Sequence, residues 1–334
     1  MRHFVIVGIL VIVMAVLTYT GLNAVGLMPV EASAQSVTID WLWNLEIMTI
    51  SFLFALIVVP MGYSLVVFRP QKGDTTDAKH IEGNTNLEIT WTVLPLFIVM
   101  VFAYLGAGNL AEVRRVDPGA MPVKVTGQQW SWSFEYPDYG VTSTELHAPE
   151  GKQILLQMTS RDVIHSFWVP EFRLKQDLVP GRITELRVTP TLVGNYKVRC
   201  AEICGTSHAY MEAPVIVNTQ ADFDSWMAEQ VKLAEKAAAT PEGRGQALVV
   251  ANGCAACHSI TGAAGIGPTW FGLFGHEVLL TDGSVVTADE AYIHESIKAP
   301  QAKIVAGFEN QLMPTYGFTD AQIDDIVAYI KTLK

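Results

Sequence analysis

The stretch "CAEICGTSHAYM", residues 200–211, places Cys200 and Cys204 four apart, His208 four further on and Met211 three beyond that. Two thiols, an imidazole and a thioether this close together, in a chain with only 4 cysteines, point to a bound metal. A disulfide between Cys200 and Cys204 would leave His208 and Met211 without a purpose, and structural zinc has no use for a thioether. Copper uses Cys, His and a weak Met together, but a single copper takes one thiolate. Two thiolates can bridge two coppers, each of which then needs a terminal imidazole. His208 supplies one, and "VIHSFWVP", residues 163–170, offers His165 as the other.

The remaining cysteines lie in "CAACH", Cys254 to His258. C-x-x-C-H reads as covalent haem c attachment. Two thiols must reach two vinyl groups on one ring edge, and the adjacent imidazole must meet the iron. Methionine is a common second axial ligand in electron carriers. The last segment offers one, Met313 in "LMPTYG", with Pro314 fixing the backbone beside it. Gly267 and Pro268 of "GIGPTW" are expected to turn a carbonyl toward a nitrogen of His258. A redox C-x-x-C pair would need neither the histidine nor a segment the size of a small haem domain.

Hydrophobicity is concentrated before residue 108. Residues 47–68 and 89–108 carry no charge and are long enough to span a bilayer as helices. Pro60 and Pro95 are tolerated in such helices. Arg69, Lys72 and Lys79 place the intervening loop on the cytoplasmic side and both flanks outside, while Arg114 and Arg115 weigh the other way. Residues 1–34 fit two readings: a secretory signal peptide ending at "ASA", 32–34, or an extra membrane helix. Asp and Glu total 33 against 22 Lys and Arg, which argues against a nucleic-acid partner.

Beyond the membrane portion, "MPVKVTG", "KQILLQMTS", "RITELRVTP", "NYKVRC" and "APVIVN" alternate or run apolar as short strands over 119–218, the pattern of a sandwich or barrel. Residues 221–240 turn to helix formers and read as a helix leading into a tether, and "TPEGRG", 240–245, marks a boundary. The segment 241–334 reads as mostly helical. Its clearest element is "TDAQIDDIVAYIKTLK", with Thr319 and Gln322 as a capping box and Ile323, Ile326, Val327 and Ile330 as one apolar stripe.

With "NLEITWTVLP", "GQQWSWSFEYP" and "VIHSFWVPEFRLKQDLVPGR" added to "CAEICGTSHAYM", residues 40–218 resemble subunit II of haem–copper cytochrome c oxidases. The whole chain resembles the version with a cytochrome c domain fused at its C-terminus. The resemblance implies a membrane-anchored multidomain fold. Its parts are a two-helix transmembrane hairpin over 40–112, an all-β cupredoxin-like barrel over 119–218, a helical linker over 221–240 and an all-α cytochrome c domain over 241–334. It implies a mixed-valence dinuclear copper centre bridged by Cys200 and Cys204 and capped by His165 and His208. Met211 would bind one copper weakly, and Glu202 the other through its carbonyl.

Other roles follow from the same resemblance. Trp130 is similar to the residue where electrons arrive from cytochrome c, whereas Trp132 and Phe134 are expected in the core. The Glu202 side chain resembles one that reaches a magnesium or manganese shared with subunit I. Glu88 resembles the acid at the mouth of a proton channel completed by subunit I. The implied function is to take electrons from reduced cytochrome c or another small donor. They would pass through haem c and the copper centre to the oxygen-reducing subunit I, with subunit III and membrane lipid as further partners. The chain would thus be part of a proton-translocating, oxygen-reducing enzyme in a bacterial cell membrane, with the copper and haem domains on the outer face and no oxygen chemistry of its own. Nitrous oxide reductase shares the copper domain but lacks the paired spans. A copper-delivery protein would lack the second His, the Met and the haem, and a quinol oxidase subunit would lack the copper ligands. A membrane-tethered copper and haem carrier outside any oxidase is the alternative from a different class.

Overall fold

The apolar first third of the chain folds as three helices, α1 (Arg2–Val25), α2 (Ala34–Val67) and α3 (Thr85–Val113). The computed structural model describes all residues except 71, 72, 74–76, 78, 79, 81, 311 and 312, so Lys72 and Lys79 lie outside the described residues. Each helix is long and apolar enough to cross a membrane. None of the residues of α3 is buried, and Trp91, Leu96 and Phe97 are open. A helix that is apolar all round and buried against nothing needs lipid or partner helices to cover it. The chain is therefore membrane-anchored. The helices run antiparallel: His3 Nδ1 meets Tyr63 Oη at 2.7 Å, and Asn109 Nδ2 donates to the Thr38 carbonyl at 3.2 Å. Ser33 and Ser36 close a capping box at the start of α2, so the helix begins well before its charge-free stretch.

Residues Met1–Arg115 form one compact unit and Val116–Lys334 another. The second starts with ten strands: β1 (Met121–Gln128), β2 (Ser131–Tyr136), β3 (Val141–Ser143), β4 (Leu146–Pro149), β5 (Ile154–Ser160), β6 (His165–Val169), β7 (Leu174–Leu178), β8 (Thr184–Val188), β9 (Gly194–Cys200) and β10 (Glu212–Asn218). They make two five-stranded sheets, β3-β2-β1-β5-β8 and β4-β10-β9-β6-β7. The pairs β1–β5 and β4–β10 are parallel. Period-two alternation sends Val123, Val125, Phe134, Tyr136, Leu156 and Met158 inward, all fully buried. This is the cupredoxin-like barrel expected from the sequence. Trp132 and Phe134 are buried in its core.

Helix α4 (Gln220–Ala238) starts at the N-cap Thr219 and is docked on the barrel. Phe223 and Met227 are buried, and Trp226 stacks on the His147 ring with centroids 3.7 Å apart and planes at 10°. The first turns of the expected tether are thus fixed.

Residues 240–245, read as a boundary, are the N-cap and first turns of α5 (Pro241–Ala251), with Thr240 accepting from the Gly243 amide. Gly243 and Gly245 of this segment also serve packing. A Cβ on Gly245 would run into the Asp325 carbonyl oxygen of α7 (Asp320–Ile330) and come 3.0 Å from Ile326 Cα. The expected capping box of α7 is present, and Ile323, Ile326, Val327 and Ile330 are buried. They share a core with Val249, Trp270 and Ile293, the last on α6 (Glu290–Lys298). A short hairpin, β11 (Glu277–Leu279) and β12 (Val285–Thr287), interrupts the otherwise helical domain.

Gly245→Ala tests the helix crossing with a definite sign. In an exposed helix interior, alanine in place of glycine stabilises by about 0.8–1.0 kcal/mol. Here overpacking against α7 is expected to reverse that and destabilise the terminal domain by about 1–3 kcal/mol. Denaturant unfolding followed by haem absorbance checks it, and a stabilised variant would refute the close crossing.

Candidate copper centre and haem site

Strand β9 ends at Cys200, and the chain loops back to start β10 at Glu212, so the whole motif sits in one loop between paired strands. Its two ends are tied together by the Cys200 amide, which donates to the Met211 carbonyl at 3.1 Å. Neighbouring strands hold the middle. Gln129 Nε2 and Trp130 Nε1 donate to the Cys204 carbonyl at 2.7 and 3.3 Å, and Trp132 Nε1 donates to the Met211 carbonyl at 3.3 Å. Gly205 has φ +120°, and a Cβ there would lie 2.9 Å from Gln129 Nε2, so only glycine permits this approach.

The side chains converge. Cys200 and Cys204 Sγ are 3.7 Å apart, too far for the roughly 2.04 Å of a disulfide. His165 Nδ1, on the adjacent β6, is 3.8 Å from Cys200 Sγ, and His208 Nδ1 is 3.5 Å from Cys204 Sγ. Met211 Sδ is 3.8 Å from Cys204 Sγ, and the Glu202 carbonyl oxygen is 3.2 Å from Cys200 Sγ. Donor separations of this size are what a first-row metal with bonds of roughly 2.0–2.3 Å spans in tetrahedral geometry. His165, Cys200 and Cys204 form a buried group able to hold a metal ion. Thiolate, thioether and imidazole together suit copper.

Sequence reasoning missed Asp162. Its Oδ1 lies 2.8 Å from His165 Nε2, fixing that nitrogen as the protonated one and aiming Nδ1 at Cys200. Its other oxygen accepts from the Gln129 amide at 2.7 Å. A signal was available, because a metal-ligating histidine usually donates its other ring N–H to a carboxylate, carbonyl or water, and Asp162 is a carboxylate close by in sequence. Burial opposes a charged His165, yet the hydrogen bonds to Asp162 and Cys200 outweigh it and raise the imidazole to about 9. Burial also opposes the Cys200 thiolate, but His165 and nearby backbone amides pull that thiol below its ordinary value. Cys204 moves up, through burial and then the negative charge on Cys200.

Around "CAACH", His258 Nδ1 is 2.8 Å from the Pro268 carbonyl, the contact expected from the "GIGPTW" turn. It donates there, leaving Nε2 as the free lone pair. The ring stacks on Trp270 at 4.7 Å and 12°. A Cβ on Gly267 would sit 3.1 Å from His258 Cε1, so glycine lets the turn close over the ring. Burial lowers His258, keeping it neutral, and raises Cys254 to about 11. A largely apolar cavity of 620 Å³ has both His258 and Met313 among its lining residues, together with Trp270, Ile293 and Val305. A flat apolar macrocycle would suit such a lining, and His258 and Met313 are the donors there that could hold its iron. Trp130 is half-buried, while Glu202 and Glu88 are exposed, the latter in the first turn of α3.

Three family profiles match. The profile described as "Cytochrome C oxidase subunit II, transmembrane domain" covers residues 20–106, its "periplasmic domain" counterpart covers 141–220, and "Cytochrome c" covers 243–334. The cytochrome c oxidase subunit 2 of a Synechocystis strain is 34% identical over 252 residues, 61% of this chain and 75% of that protein. This chain belongs to the cytochrome c oxidase subunit II family. The subunit 2 of Alkalihalophilus pseudofirmus is 28% identical and matches over 88% of each chain, a span too long for the membrane and copper domains alone. The periplasmic domain of subunit II from Bradyrhizobium japonicum has 32% identity and covers 35% of this chain and 98% of its own, with a TM-score of 0.34. As a member of that family the chain carries electrons from cytochrome c toward a copper centre in an oxidase complex. It binds copper and haem and has no independent catalytic activity.

Metal uptake should depend on pH through the protons it displaces. Because His165 and Cys204 are both raised, each is protonated near neutrality in metal-free protein, and copper must expel those protons. Copper affinity is therefore expected to rise with pH through about 9, where His165 gives up its proton, and to go on rising above it while Cys204 still holds one. Asp162→Asn, which drops His165 back toward its ordinary value, should flatten the lower part of that rise. Chelator competition at several pH values checks both, and a pH-independent affinity in the unmodified protein would contradict the assignment.

Proposed function

We propose that this chain is the electron-receiving subunit of an oxidase in which a reduced cytochrome c or similar donor feeds haem c. Electrons would then pass to a dinuclear copper centre and on to subunit I. The observation that carries this is the convergence of two thiols, an imidazole, a thioether and a carbonyl of the Cys200–Met211 loop with the His165 imidazole of β6. Two coppers bound at that cluster, and a haem at the Cys254–His258 motif, would supply one-electron couples.

The chain's own residues do the rest. Cys200 and Cys204 would bridge the two coppers, and His165 and His208 would cap them. Met211 and the Glu202 carbonyl would each add a further donor. Hydrogen bonds from Gln129, Trp130 and Trp132 hold the loop in one shape, so little rearranges when charge arrives. Trp130 reaches the Cys204 carbonyl directly, which suits it to pass charge into the centre. Cys254 and Cys257 would attach the haem, and His258 and Met313 would hold its iron. Glu202 offers its side chain to a magnesium or manganese shared with subunit I, and Glu88 stands at the mouth of a proton channel completed by that subunit. Subunit III joins the same complex. The copper and haem domains lie on the outer face of the membrane. The domain limits follow the sequence reading, 119–218 for the barrel and 241–334 for cytochrome c.

Electron paramagnetic resonance distinguishes one copper from two. One unpaired electron shared equally by two copper nuclei gives a seven-line pattern, and a four-line signal from a single copper would overturn the dinuclear assignment. Met211→Leu should shift the potential without emptying the site, while Cys200→Ser or Cys204→Ser should lose the centre. Purification in mild detergent tests the oxidase reading itself. A large partner carrying further haem should co-purify, and a chain that purifies alone would favour a tethered carrier.

Met313→His tests the haem ligand. The thioether links of Cys254 and Cys257 should keep the haem, while its potential falls sharply and the sulfur–iron charge-transfer band vanishes. Survival of that band would mean another residue is the ligand.

A further inference from the structure

The haem-attachment motif does not face solvent on all sides. Asn252, two residues before Cys254, is buried against the turn between β1 and β2 of the copper barrel. Gln128 Nε2 donates to the Asn252 carbonyl, and Arg161 donates to the Asn252 side-chain oxygen. Arg161 Nη1 also donates to Gln128 Oε1 at 3.3 Å, which closes a triangle of one guanidinium and two amides. Asn252 Nδ2 in turn donates to the Leu248 carbonyl at 2.7 Å, tying the triangle to the last turn of α5. Gly253 is left-handed with φ +62°, and a Cβ on it would strike Ser131 Oγ. The backbone just ahead of the motif, at Asn252 and Gly253, therefore lies against the hairpin.

The same hairpin turn touches the other centre. The residues after Gln128 are Gln129 and Trp130, both of which donate to the Cys204 carbonyl. The turn Gln128–Ser131 thus has one side on the chain that attaches haem and the other on the loop that gathers the copper ligands.

We propose that Arg161, Gln128 and Asn252 form a polar latch that seats the fused haem domain on this turn, making them positioning residues for transfer between the two centres. The role in transfer rests on the serial route proposed above. Buried amides left unpaired are costly, so the three groups act as a unit that is either made or broken. The latch pairs one cation with neutral groups, so docking through it depends less on salt than docking between opposite charges. The partner this face selects is the chain's own domain, placed there by α4, and the short connection keeps the second surface always at hand.

The test uses the full-length, metal-loaded protein in its complex, with Arg161→Ala, Arg161→Lys and Gln128→Ala. Each variant should keep the copper resonance and the haem spectrum of the unmodified protein. Hydrogen exchange at the amides of residues 128–131 and 252–253 should speed up at least several-fold in Arg161→Ala, and less in Arg161→Lys, which retains a donor. After rapid mixing with a reduced donor, haem c should reduce at the unmodified rate. The following transfer to copper should slow about tenfold in Arg161→Ala, in line with the loss of hydrogen bonds to a charged group. Unchanged exchange in Arg161→Ala overturns the latch. Faster exchange with an unchanged haem-to-copper rate overturns its role in transfer. If copper reduces before haem c in the unmodified protein, the serial route itself fails, and the exchange measurement still judges the latch.

Discussion

The carbonyl of Cys204 accepts two hydrogen bonds, from Gln129 and Trp130, and much of the soluble structure is arranged around that point. The loop from Cys200 to Met211 has no sheet ladder of its own, so its shape must be imposed from outside. The turn after β1 supplies the imposition in the middle, and Trp132 with the Cys200 amide supplies it at Met211. For these donors to arrive, β1 and β2 must lie in one sheet while β6 and β9 lie in the other. The two-sheet barrel is the means of bringing them together. His165 enters from β6, Cys200 ends β9, and each is exact in place because its strand is paired on both sides.

Electrostatics reinforces the geometry. Two thiols gathered beside two imidazoles, with Cys200, Cys204 and His165 buried, would be costly to charge without partners. Asp162 relieves part of this by pairing with His165 and by accepting the Gln129 amide, so one carboxylate serves both the ligand and the loop support. The result is a site whose donors stand 3.5–3.8 Å apart, from Cys200 to His165 and Cys204 and from Cys204 to His208 and Met211. At His258 the arrangement is simpler: a backbone carbonyl orients the ring and burial keeps it neutral.

Much of this was legible in the sequence, for physical reasons that differ by element. The membrane helices announced themselves by uninterrupted apolar length, and the strands β1, β5, β8, β9 and β10 by alternation of buried and open side chains. The capping box of α7 was readable because Thr319 and Gln322 are local partners. The hairpin β11–β12 was not read, since three-residue strands carry too little periodicity, although the Asp282-Gly283 pair between them is a turn signal. Residues 240–245 do mark a change of element, with α4 ending at Ala238 and α5 starting at Pro241, but the close crossing at Gly245 was not legible because only the position of α7 reveals it. In the copper site, Cys200, Cys204, His208 and Met211 are contiguous and chemically loud. His165 was found because a second imidazole was needed, and Asp162 was missed because its role is to hold another ligand. Gln128 and Asn252 are neutral amides 124 residues apart, and nothing in their own chemistry distinguishes them from any surface amide.

The docking of α4 through Trp226 on His147 has a consequence for how such fusions can vary. Because the helix is clamped to the barrel at its first turns and abuts α5 at Gly243, its length acts as an angle as well as a distance. Each residue inserted or removed in its exposed half would swing the haem domain by about 100° around the helix axis while moving it only about 1.5 Å along it. Most length changes would therefore carry the face of Asn252 away from the barrel altogether. A length change that kept this face on the barrel would have to come in steps near whole helical turns, so the phase of an otherwise unremarkable alanine-rich helix matters as much as its length.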